Sequence, residues 1–442
     1  MSTLENPADT PVDTVDTAEH PTDKAITPPG SERSSGGGSP PPANAEPSPR
    51  PTSGPQVLKP RFLATGGEYF GIWIVNILLM AVTLGLYYPW ARVRKLQFFA
   101  GNTDVGGHRL SFTGIAKQMF TGFALAAVGF ILYSVADAFS PVLGLVVIVV
   151  FAGVWPWLFR AALRFRLART TWRGLPLSFT ATTRSAYAAF TPAYVAAAVA
   201  IGVSLSGALF SVTNADLSSV EMVAASGFGL FILIGLCLVP WLHFRIKRLQ
   251  HSHFQYAECK SRFTAGVGSF YLLYLKTGLV ALLGAVISAI TVALFVALTG
   301  LAASLDMAEI EVAMGEGVGF VLAAVAAMAI GYFTIWQAVT AYFNRTLHNL
   351  VWSNTQGDGF AFAAALKFWP YFGLRVLNLI LKMLTMGLYT PFAQVAITRM
   401  KLASIALAVD IDLDAMIHQT QNAEVSATAD AAADLFDVDI GL

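Results

Sequence analysis

Long apolar stretches alternate along this chain with short polar connections. The hydrocarbon core of a bilayer is about 30 Å thick, so a helix needs roughly 20 apolar residues to cross it with its backbone groups paired. Eight stretches approach or exceed that length, and the pattern predicts a polytopic α-helical membrane protein. The stretches are Phe70–Ala91, Met119–Ala136, Phe139–Leu158, Ala186–Phe210, Ala225–Leu242, Tyr271–Thr299, Val318–Gln337 and Tyr371–Ala393.

The polar connections predict an orientation for six of these stretches. Lys and Arg collect between residues 92 and 117, 160 and 184, and 245 and 262, with a weaker group at Arg345 and Lys367. The intervening connections carry Asp216 and Glu221, and then acidic residues from Asp306 to Glu316, without any Lys or Arg. Because basic loops face the cytoplasm, the second to seventh stretches are predicted to be six firm transmembrane helices.

The first and last stretches are related to each other. Asn76 and Asn378 occupy the same position in both, and each stretch continues into a Thr-x-Gly-Leu-Tyr motif at one constant offset. Simple alternation of eight spans would place these related segments on opposite sides of the membrane. We therefore expect both to be re-entrant or interfacial, each turning back near its motif, with both termini cytoplasmic. Eight plain spans are the alternative.

A second repeat predicts β-structure in the basic loops. Pro-Trp pairs at 89, 156 and 240 are followed at one fixed separation by Phe112, Phe179 and Phe263. The residues between them, from Leu96–Phe99 onwards in the first copy, have the pattern of strand, turn, strand. Residues 352–362 form a degenerate fourth copy. These repeats predict cytoplasmic β-hairpins that pair into a small sheet or barrel beneath the helices.

Composition separates the tails from the membrane domain. The whole chain is 55% hydrophobic and 12% charged, but residues 1–60 are rich in Pro, Ser, Thr and Gly and are predicted to be a disordered tail. The start has neither a basic region nor an apolar core, so we expect no cleaved signal peptide. Residues 61–414 form the predicted membrane domain, and 415–442 an acidic, disordered tail. Alternation in Val409–Asp414 predicts a strand that extends the sheet.

Motifs of enzyme chemistry are missing from the sequence. There is no phosphate-binding Gly-rich loop, no His-Glu-x-x-His and no nucleophile elbow, so we expect neither an enzyme nor a cofactor. A metal site is a weak candidate at His251, His253 and Cys259, where a strand would place both histidines on one face. We prefer the interpretation of interfacial histidines on a hairpin, since a fourth ligand is lacking.

Two groups of polar residues are candidate binding sites. Asn76, Asn378 and Lys382 lie within apolar segments and are candidates for a polar path; helix pairing and snorkelling of the lysine to the interface are the alternatives. Five arginines follow the third stretch and are candidates for binding an anion or a lipid headgroup, with simple orientation by positive charge as the alternative. They are Arg160, Arg164, Arg166, Arg169 and Arg173.

The motifs resemble those of one known family. Residues 66–70 (Gly-Gly-Glu-Tyr-Phe), the Leu-Gly-Leu-Tyr motif at 84–87, Pro89–Arg94 and the loop at 101–114 are similar to the YjgN-like family of bacterial inner-membrane proteins, a domain of unknown function. The resemblance covers about Arg61–Asp414. It is weakest in the eroded copy at Phe360 and at Gln394, which stands where a basic counterpart of Arg92 would be expected. It implies a location in the bacterial inner membrane, and no activity.

These features favour a transporter or channel for a small solute or ion, because internal repeats and interrupted, polar-containing helices are typical of transporters. A non-transporting membrane scaffold or a protein that binds anionic lipid is the alternative. The expected partners are membrane lipids, without nucleic acid, and protein partners are left open.

Overall fold

A computed structural model describes residues 56–213, 217–304 and 318–420, which form helices joined by short antiparallel strands. The helices are α1 (Gly66–Val82), α2 (Tyr88–Gly101), α3 (Ala116–Phe139), α4 (Pro141–Ala168), α5 (Thr183–Thr213), α6 (Leu217–Ser252), α7 (Val267–Ser304), α8 (Val318–Ser353), α9 (Phe368–Leu384) and α10 (Thr390–Ala403). The strands are β1 (Gln56–Leu58), β2 (Arg61–Phe62), β3 (Thr103–Val105), β4 (His108–Phe112), β5 (Thr170–Trp172), β6 (Leu175–Phe179), β7 (Phe254–Tyr256), β8 (Cys259–Phe263), β9 (Thr355–Gly357), β10 (Phe360–Ala364) and β11 (Ile405–Val409).

The strands pair as hairpins that follow alternate helices. β3–β4, β5–β6, β7–β8 and β9–β10 are antiparallel pairs, and each begins directly after the end of α2, α4, α6 or α8. A two-residue type I′ turn needs positive φ at both central positions. Gly106 and Gly107 have φ of 61° and 83°, and Arg173 and Gly174 have φ of 50° and 85°. These glycines therefore fix tight turns at the end of the sheet away from the helices.

The eleven strands form one sheet whose two edges are joined through the chain. Its order is β1-β11-β10-β9-β8-β7-β6-β5-β4-β3-β2, so β1 and β2 lie at opposite edges. In a flat sheet those edges would be roughly 48 Å apart, whereas the chain from Leu58 to Arg61 spans at most about 11 Å. The sheet is therefore closed into a barrel. Across the closure, the side chain of Leu58 packs beside Gly106.

Five equivalent hydrogen bonds join neighbouring parts of the barrel to the helices. In each, the first residue after a strand donates its backbone N–H over 2.8–2.9 Å. The acceptor is the carbonyl of the residue just after the next helix that leads into a strand. The bonds are Leu63 to Asn102, Thr113 to Arg169, Thr180 to His253, Thr264 to Asn354 and Ala365 to Ser404.

Side chains fill the barrel, and the chain beyond β11 closes its far end. Trp172, Tyr256 and Leu407 from the strands pack with Met416 and Ile417 in one buried cluster. Residues 413–420 are helical, so the expected strand over 409–414 is wrong beyond Val409, and the expected disordered tail is wrong up to residue 420. The reason is that a period of three to four residues buries one helical face here. Residues 421–442 and 1–55 lie outside the described chain.

Four of the described helices are long and apolar enough to cross a membrane, which supports a helical membrane protein. Their candidate spans are Ala116–Phe139, Pro141–Ala168, Thr183–Val203 and Val267–Phe295. The first two are separated by Ser140 alone, whose hydroxyl caps α4 by accepting from the N–H of Val142. The other two of the six expected spans fall within α6 and α8.

The first and last apolar stretches are each broken into two helices. α1 and α2 pack against each other, as do α9 and α10, and the Thr-x-Gly-Leu-Tyr motif forms each turn. Neither stretch is one straight helix, which favours the re-entrant or interfacial form over a plain span. The expected strand at Leu96–Phe99 is also wrong, since these residues belong to α2. A short apolar run in the sequence does not by itself distinguish a strand from a buried helical turn.

Candidate functional site: a basic ring at the mouth of the barrel

The helices that lead into strands, α2, α4, α6, α8 and α10, bring their C-terminal halves to the mouth of the barrel. We call these five the inner helices. Cationic side chains on four of them act electrostatically on one another, and we call this group the basic ring. Its members are Arg92, Lys95, Arg166, Lys247 and Lys401. The three lysines are half-buried, and the two arginines are exposed.

Charges of the basic ring act on one another within one helix and between helices. The charge of Arg92 on α2 acts on Lys95 and on Arg166, which lies on α4. Burial lowers the pKa of Lys247 on α6, and the positive charge of Lys401 on α10 lowers it further. In the described chain, α6 and α10 are not among the helices that pack side by side. The charge of Lys401 therefore acts on Lys247 from a different inner helix.

The hydrogen-bonding partners of the ring lysines are neutral. Lys95 Nζ donates to the amide oxygen of Gln394 at 2.7 Å, and Lys247 Nζ donates to that of Gln250 at 3.1 Å. Lys401 Nζ lies 5.9 Å from the centre of the Tyr371 ring. These contacts hold the ammonium groups in place without neutralising them.

Carboxylates of the described residues lie elsewhere. The ion pairs of the described chain are Arg173 with Asp414 at 2.8 Å and Arg262 with Asp358 at 2.9 Å, both at the far end of the barrel. Within the described ranges, no acidic side chain comes within 4 Å of a member of the basic ring. The ring is therefore a concentration of uncompensated positive charge.

Two histidines beside the ring are held neutral. Burial lowers the pKa of His251 to about 4, with a further contribution from Lys247, and burial lowers that of His348 to about 4 beside Lys401. His251 Nδ1 lies 3.1 Å from the hydroxyl of Thr355, and His348 Nε2 lies 3.0 Å from that of Ser404. At neutral pH these imidazoles supply hydrogen bonds and add no charge.

Helix dipoles account for part of the ring only. Arg166 and Lys401 lie in the last turns of α4 and α10, where a cation stabilises the negative end of the helix dipole. Lys95 and Lys247 lie outside the last turns of α2 and α6. Since the dipole effect is confined to about one turn, it does not explain why Lys95 and Lys247 occupy their positions.

The structure separates the five arginines proposed from the sequence as an anion or headgroup site. Arg160 is used structurally, because its Nε donates to the carbonyl of Ala181 at 2.6 Å. Arg345 makes the equivalent bond to Leu366 at 2.9 Å. Arg173 lies at the far end of the barrel in its ion pair, Arg169 follows the end of α4, and Arg164 is exposed. Of the five, Arg166 belongs to the basic ring.

The two terminal helical hairpins each contain a buried amide with unpaired atoms. Asn76 on α1 is 6% exposed and its Oδ1 has no hydrogen-bond partner among the described residues. Asn378 on α9 is 2% exposed, and both its Oδ1 and its Nδ2 are unpaired there. α10 packs against both α1 and α9. Lys382, the third candidate for the polar path, is half-buried in the last turn of α9. Both helical hairpins therefore bury an asparagine with at least one unpaired polar atom.

Residues 58–435 match the family model "Bacterial protein of unknown function (DUF898)". The chain belongs to this family. The Inner membrane protein YjgN of Escherichia coli O157:H7 is 30% identical over 120 residues, which are 27% of this chain and 30% of the relative. YjgN of Salmonella typhimurium is 26% identical over 127 residues, 28% of this chain and 32% of the relative. The resemblance to the YjgN-like inner-membrane family is confirmed.

These alignments span less than a third of the length of each curated relative. No solved structure matches the chain. The names of these relatives give a membrane location and no activity.

The weak metal candidates of this DUF898 protein are not brought together. His251 lies in the last turn of α6 and His253 just beyond it, so the expectation that both lie on one face of a strand is wrong. His253 Nδ1 bonds the carbonyl of Leu249, and Cys259 Sγ lies 3.6 Å from Met416 Sδ inside the barrel. The physical reason is that α6 continues ten residues past its apolar stretch, to Ser252.

Sequence reasoning missed the basic ring as a group. The repeat contains part of the signal, because aligning Pro156 with Pro391 also aligns Arg166 with Lys401. Gln394, which aligns with Arg92, is the acceptor for Lys95 and also for the hydroxyl of Tyr69 at 3.4 Å. Reading each helix separately does not reveal which charges act on one another.

Proposed function

We infer that this protein is a multi-pass inner-membrane transporter or channel for a small solute or ion, with a path beside its two broken helical hairpins. The observation that carries the proposal is the pair of buried, unpaired amides at Asn76 and Asn378. An unpaired buried polar group costs about 1–3 kcal/mol, so a role for it other than packing is favoured. Interrupted helices with polar groups near their breaks form binding sites in known transporters.

Charge distribution supports an orientation for this path. The inner helices and their strands carry the basic clusters, so the positive-inside rule places the barrel and both chain ends in the cytoplasm. In this orientation Ala225–Leu242 of α6 and Val318–Gln337 of α8 also cross the membrane, which gives six spans. α1 has 17 residues and is about 25 Å long, so the α1–α2 hairpin enters the bilayer and returns.

The test is solute flux in vesicles that contain the purified protein. Light-scattering assays would compare chloride and phosphate salts, glycerol and urea against empty vesicles. We expect wild-type flux above background for at least one solute, and at least a tenfold loss in the Asn76→Leu and Asn378→Leu variants. Ser134→Leu is the control, because Ser134 is exposed on α3 and bonds only the carbonyl of Phe130.

Stability separates a path from a packing role. Because Leu is apolar and similar in size to Asn, it removes the cost of the unpaired amides, and we expect the melting temperature of both Leu variants to rise. A lower melting temperature together with wild-type flux, or wild-type flux equal to that of empty vesicles for every solute, would contradict the proposal.

A second candidate function, binding of anionic lipid by a membrane scaffold, is favoured by two grooves beside Arg94. They have volumes of about 490 and 400 Å³, and Arg94 and Gln97 line both of them. Ile72 and Val75 line the first, and Lys117 contributes a second cation to the other. Acyl chains fit the apolar walls and a lipid phosphate fits the cations. Loss of co-purified anionic lipid in an Arg94→Gln, Lys117→Gln variant, without loss of flux, would favour this candidate.

A further inference from the structure

We propose that the buried face of α9 binds a small oxyanion that retains an O–H group, such as hydrogencarbonate or monobasic phosphate. Arg375, Asn378 and Lys382 lie along this face, and we call them the polar stripe of α9. The inference deepens the proposed function, since it names the substrate class of the same path, and its place in transport rests on that function. Binding at the polar stripe is measurable without transport.

The spacing of the polar stripe places its members on one side of the helix. Residues three and four apart are neighbours on a helix surface, so Arg375 lies one turn before Asn378 and Lys382 one turn after it. At a rise of 1.5 Å per residue, the Cα atoms of the two cations are about 4.5 and 6 Å from that of the asparagine along the axis. Tyr371, one turn before Arg375, is 1% exposed and Asn378 is 2% exposed, so this is the buried side of α9. The buried amide therefore lies between two cationic side chains.

Three contacts hold the guanidinium of Arg375 in place. Its Nε donates to the amide oxygen of Gln337 at 3.1 Å, and its Nη2 donates to the hydroxyl of Thr340 at 3.0 Å. Its Cζ also lies 5.9 Å from the centre of the Tyr371 ring. An arginine that served only to orient the helix would extend to the headgroups, whereas Arg375 is half-buried against α8. Since a guanidinium has five N–H donors, others remain for a ligand.

The described residues do not neutralise the positive charge at the polar stripe. Both partners of Arg375 are neutral, and the ion pairs of the described chain lie at the far end of the barrel. Lys401 on α10 adds a further cation, because its Nζ is also 5.9 Å from the centre of the Tyr371 ring. The charges of Arg375 and Lys401 are therefore within about 12 Å of each other. An anion beside them replaces repulsion by attraction.

The amide of Asn378 discriminates between kinds of anion. Its Nδ2 is a donor and its Oδ1 an acceptor, and neither has a partner among the described residues. Chloride or nitrate accepts from Nδ2 and leaves Oδ1 unpaired. An oxyanion with an O–H group accepts from Nδ2 through one oxygen and donates to Oδ1 from another. Because an unpaired buried polar group is costly, the anion that satisfies both atoms is favoured.

The first helical hairpin lacks the two cations. At the constant offset that relates the hairpins, Asn76 aligns with Asn378, but Trp73 aligns with Arg375 and Met80 with Lys382. The amide is thus common to both hairpins, whereas the flanking charge belongs to the second. The first hairpin therefore provides an internal comparison for the effect of the cations.

The binding experiment uses the full chain in detergent and titration calorimetry with hydrogencarbonate, monobasic phosphate, nitrate and chloride. Hydrogencarbonate and nitrate are both planar, singly charged and similar in size, but nitrate has no O–H group. We expect the wild type to bind hydrogencarbonate or phosphate at least tenfold more tightly than nitrate or chloride. Arg375→Gln should weaken this binding at least tenfold. The control Arg109→Gln removes an exposed cation from β4 and should change it less than twofold.

Asn378→Asp distinguishes loss of the site from loss of the fold. Its carboxylate lies one turn from both Arg375 and Lys382, so it pairs with these cations and repels an anion. We expect binding to fall at least tenfold without a fall in melting temperature. Asn76→Asp places the same charge where the equivalent cations are missing, so it should lower the melting temperature. Equal changes of melting temperature in the two variants would contradict the placement of the cations around Asn378.

Flux in vesicles separates this inference from the proposed function. Transport of glycerol or urea without binding of any anion would retain the proposed function and overturn the anion site. Binding of hydrogencarbonate or phosphate without flux of any solute would retain the site and contradict transport. The inference is also overturned if nitrate binds as tightly as the anions with an O–H group, or if Arg375→Gln binds them as tightly as the wild type.

Discussion

Lys95 on α2 donates a 2.7 Å hydrogen bond from its Nζ to the amide oxygen of Gln394 on α10. The same oxygen lies 3.4 Å from the hydroxyl of Tyr69 on α1. Three helices from the two ends of the chain therefore share one acceptor at the basic ring.

Replacing that acceptor should destabilise the protein. Gln394→Leu leaves a half-buried ammonium without its partner, and hydrogen bonds to charged groups contribute about 1.5–3 kcal/mol. We expect the free energy of unfolding in detergent, measured by urea titration, to fall by about 1–3 kcal/mol. Gln394→Glu keeps an acceptor oxygen and should retain wild-type stability or exceed it. Equal stability of the Leu variant and the wild type would contradict the role of this bond.

The two helix breaks contain glycines that no other residue replaces without strain. Gly85 and Gly387 have φ of +90° and +92°, and each donates its N–H at 2.7 Å to a carbonyl of the preceding helix. A side chain at such a φ costs about 1–3 kcal/mol, so Gly85→Ala and Gly387→Ala should each lower the melting temperature.

Gly71 and Gly373 are the matched controls for these glycines, because they occupy equivalent positions inside α1 and α9 and a Cβ there meets no atom within 4 Å. Alanine at either should be neutral or raise the melting temperature, since it favours the helix by roughly 0.5–1 kcal/mol. An equal fall in melting temperature at all four positions would show that the positive φ of Gly85 and Gly387 is not the cause.

Cys259 reports whether the chain beyond β11 is seated in the barrel. Burial raises the pKa of its thiol, and the carboxylates of Asp358 and Glu258 raise it further. Ile417→Asp places a charge in the buried cluster and should release residues 413–420, which exposes the thiol and lowers its pKa. We expect maleimide labelling at pH 8 to accelerate at least tenfold.

The labelling experiment needs two controls. Cys237 is exposed and must be replaced by serine in every protein compared. Ile417→Leu preserves an apolar side chain and should label at the slow rate of the parent. Slow labelling of the Ile417→Asp variant would mean that the barrel retains its covering without this contact.

Acidification should destabilise the protein through the histidines beside the ring. His251 has a pKa of about 4 in the folded protein, below the ordinary value of about 6.5 expected when unfolded. The unfolded chain therefore takes up a proton first, so this contribution to stability is complete above pH 6.5 and is lost as pH falls towards 4. Between pH 7 and 5 the expected loss is about 1–2 kcal/mol from this residue.

Melting temperatures of the wild type and of His251→Gln across that range test the effect. Glutamine does not titrate, so the variant should show a smaller decrease, while His348 preserves the remainder of the pH dependence. Parallel curves for the two proteins would exclude His251 as a source.

The sequence predicts the helices and the positions of the strand pairs because both depend on local signals. Pro-Trp pairs followed by basic residues identify helix ends, and Gly106-Gly107 and Arg173-Gly174 identify turns. The pattern of Leu96–Phe99 and His251 predicts strands, although both lie in helices, because a few residues next to a turn have the same pattern in a strand and in a helix. The basic ring depends on electrostatic interactions between residues such as Lys247 and Lys401, which no local pattern encodes.

The candidate residues illustrate the same division. Asn76 and Asn378 were identified from their positions in apolar segments, and burial of both follows from that placement. The arginines of α4 were grouped by adjacency, but a helix turns successive residues through about 100°, so Arg160 and Arg166 have separate partners. The carbonyl or cation with which each arginine interacts is determined by the neighbouring helix.

The pairing of Gln56 with Val409 has a consequence for biosynthesis. Every hairpin strand pair can form soon after its helices are made, but β1 has no neighbour until β11 leaves the ribosome. The barrel therefore remains an open sheet with a free edge while the helices enter the membrane one hairpin at a time. A chain that ended before residue 405 would leave both β1 and β10 without the strand that joins them, so two unpaired edges would be exposed in place of a closed barrel.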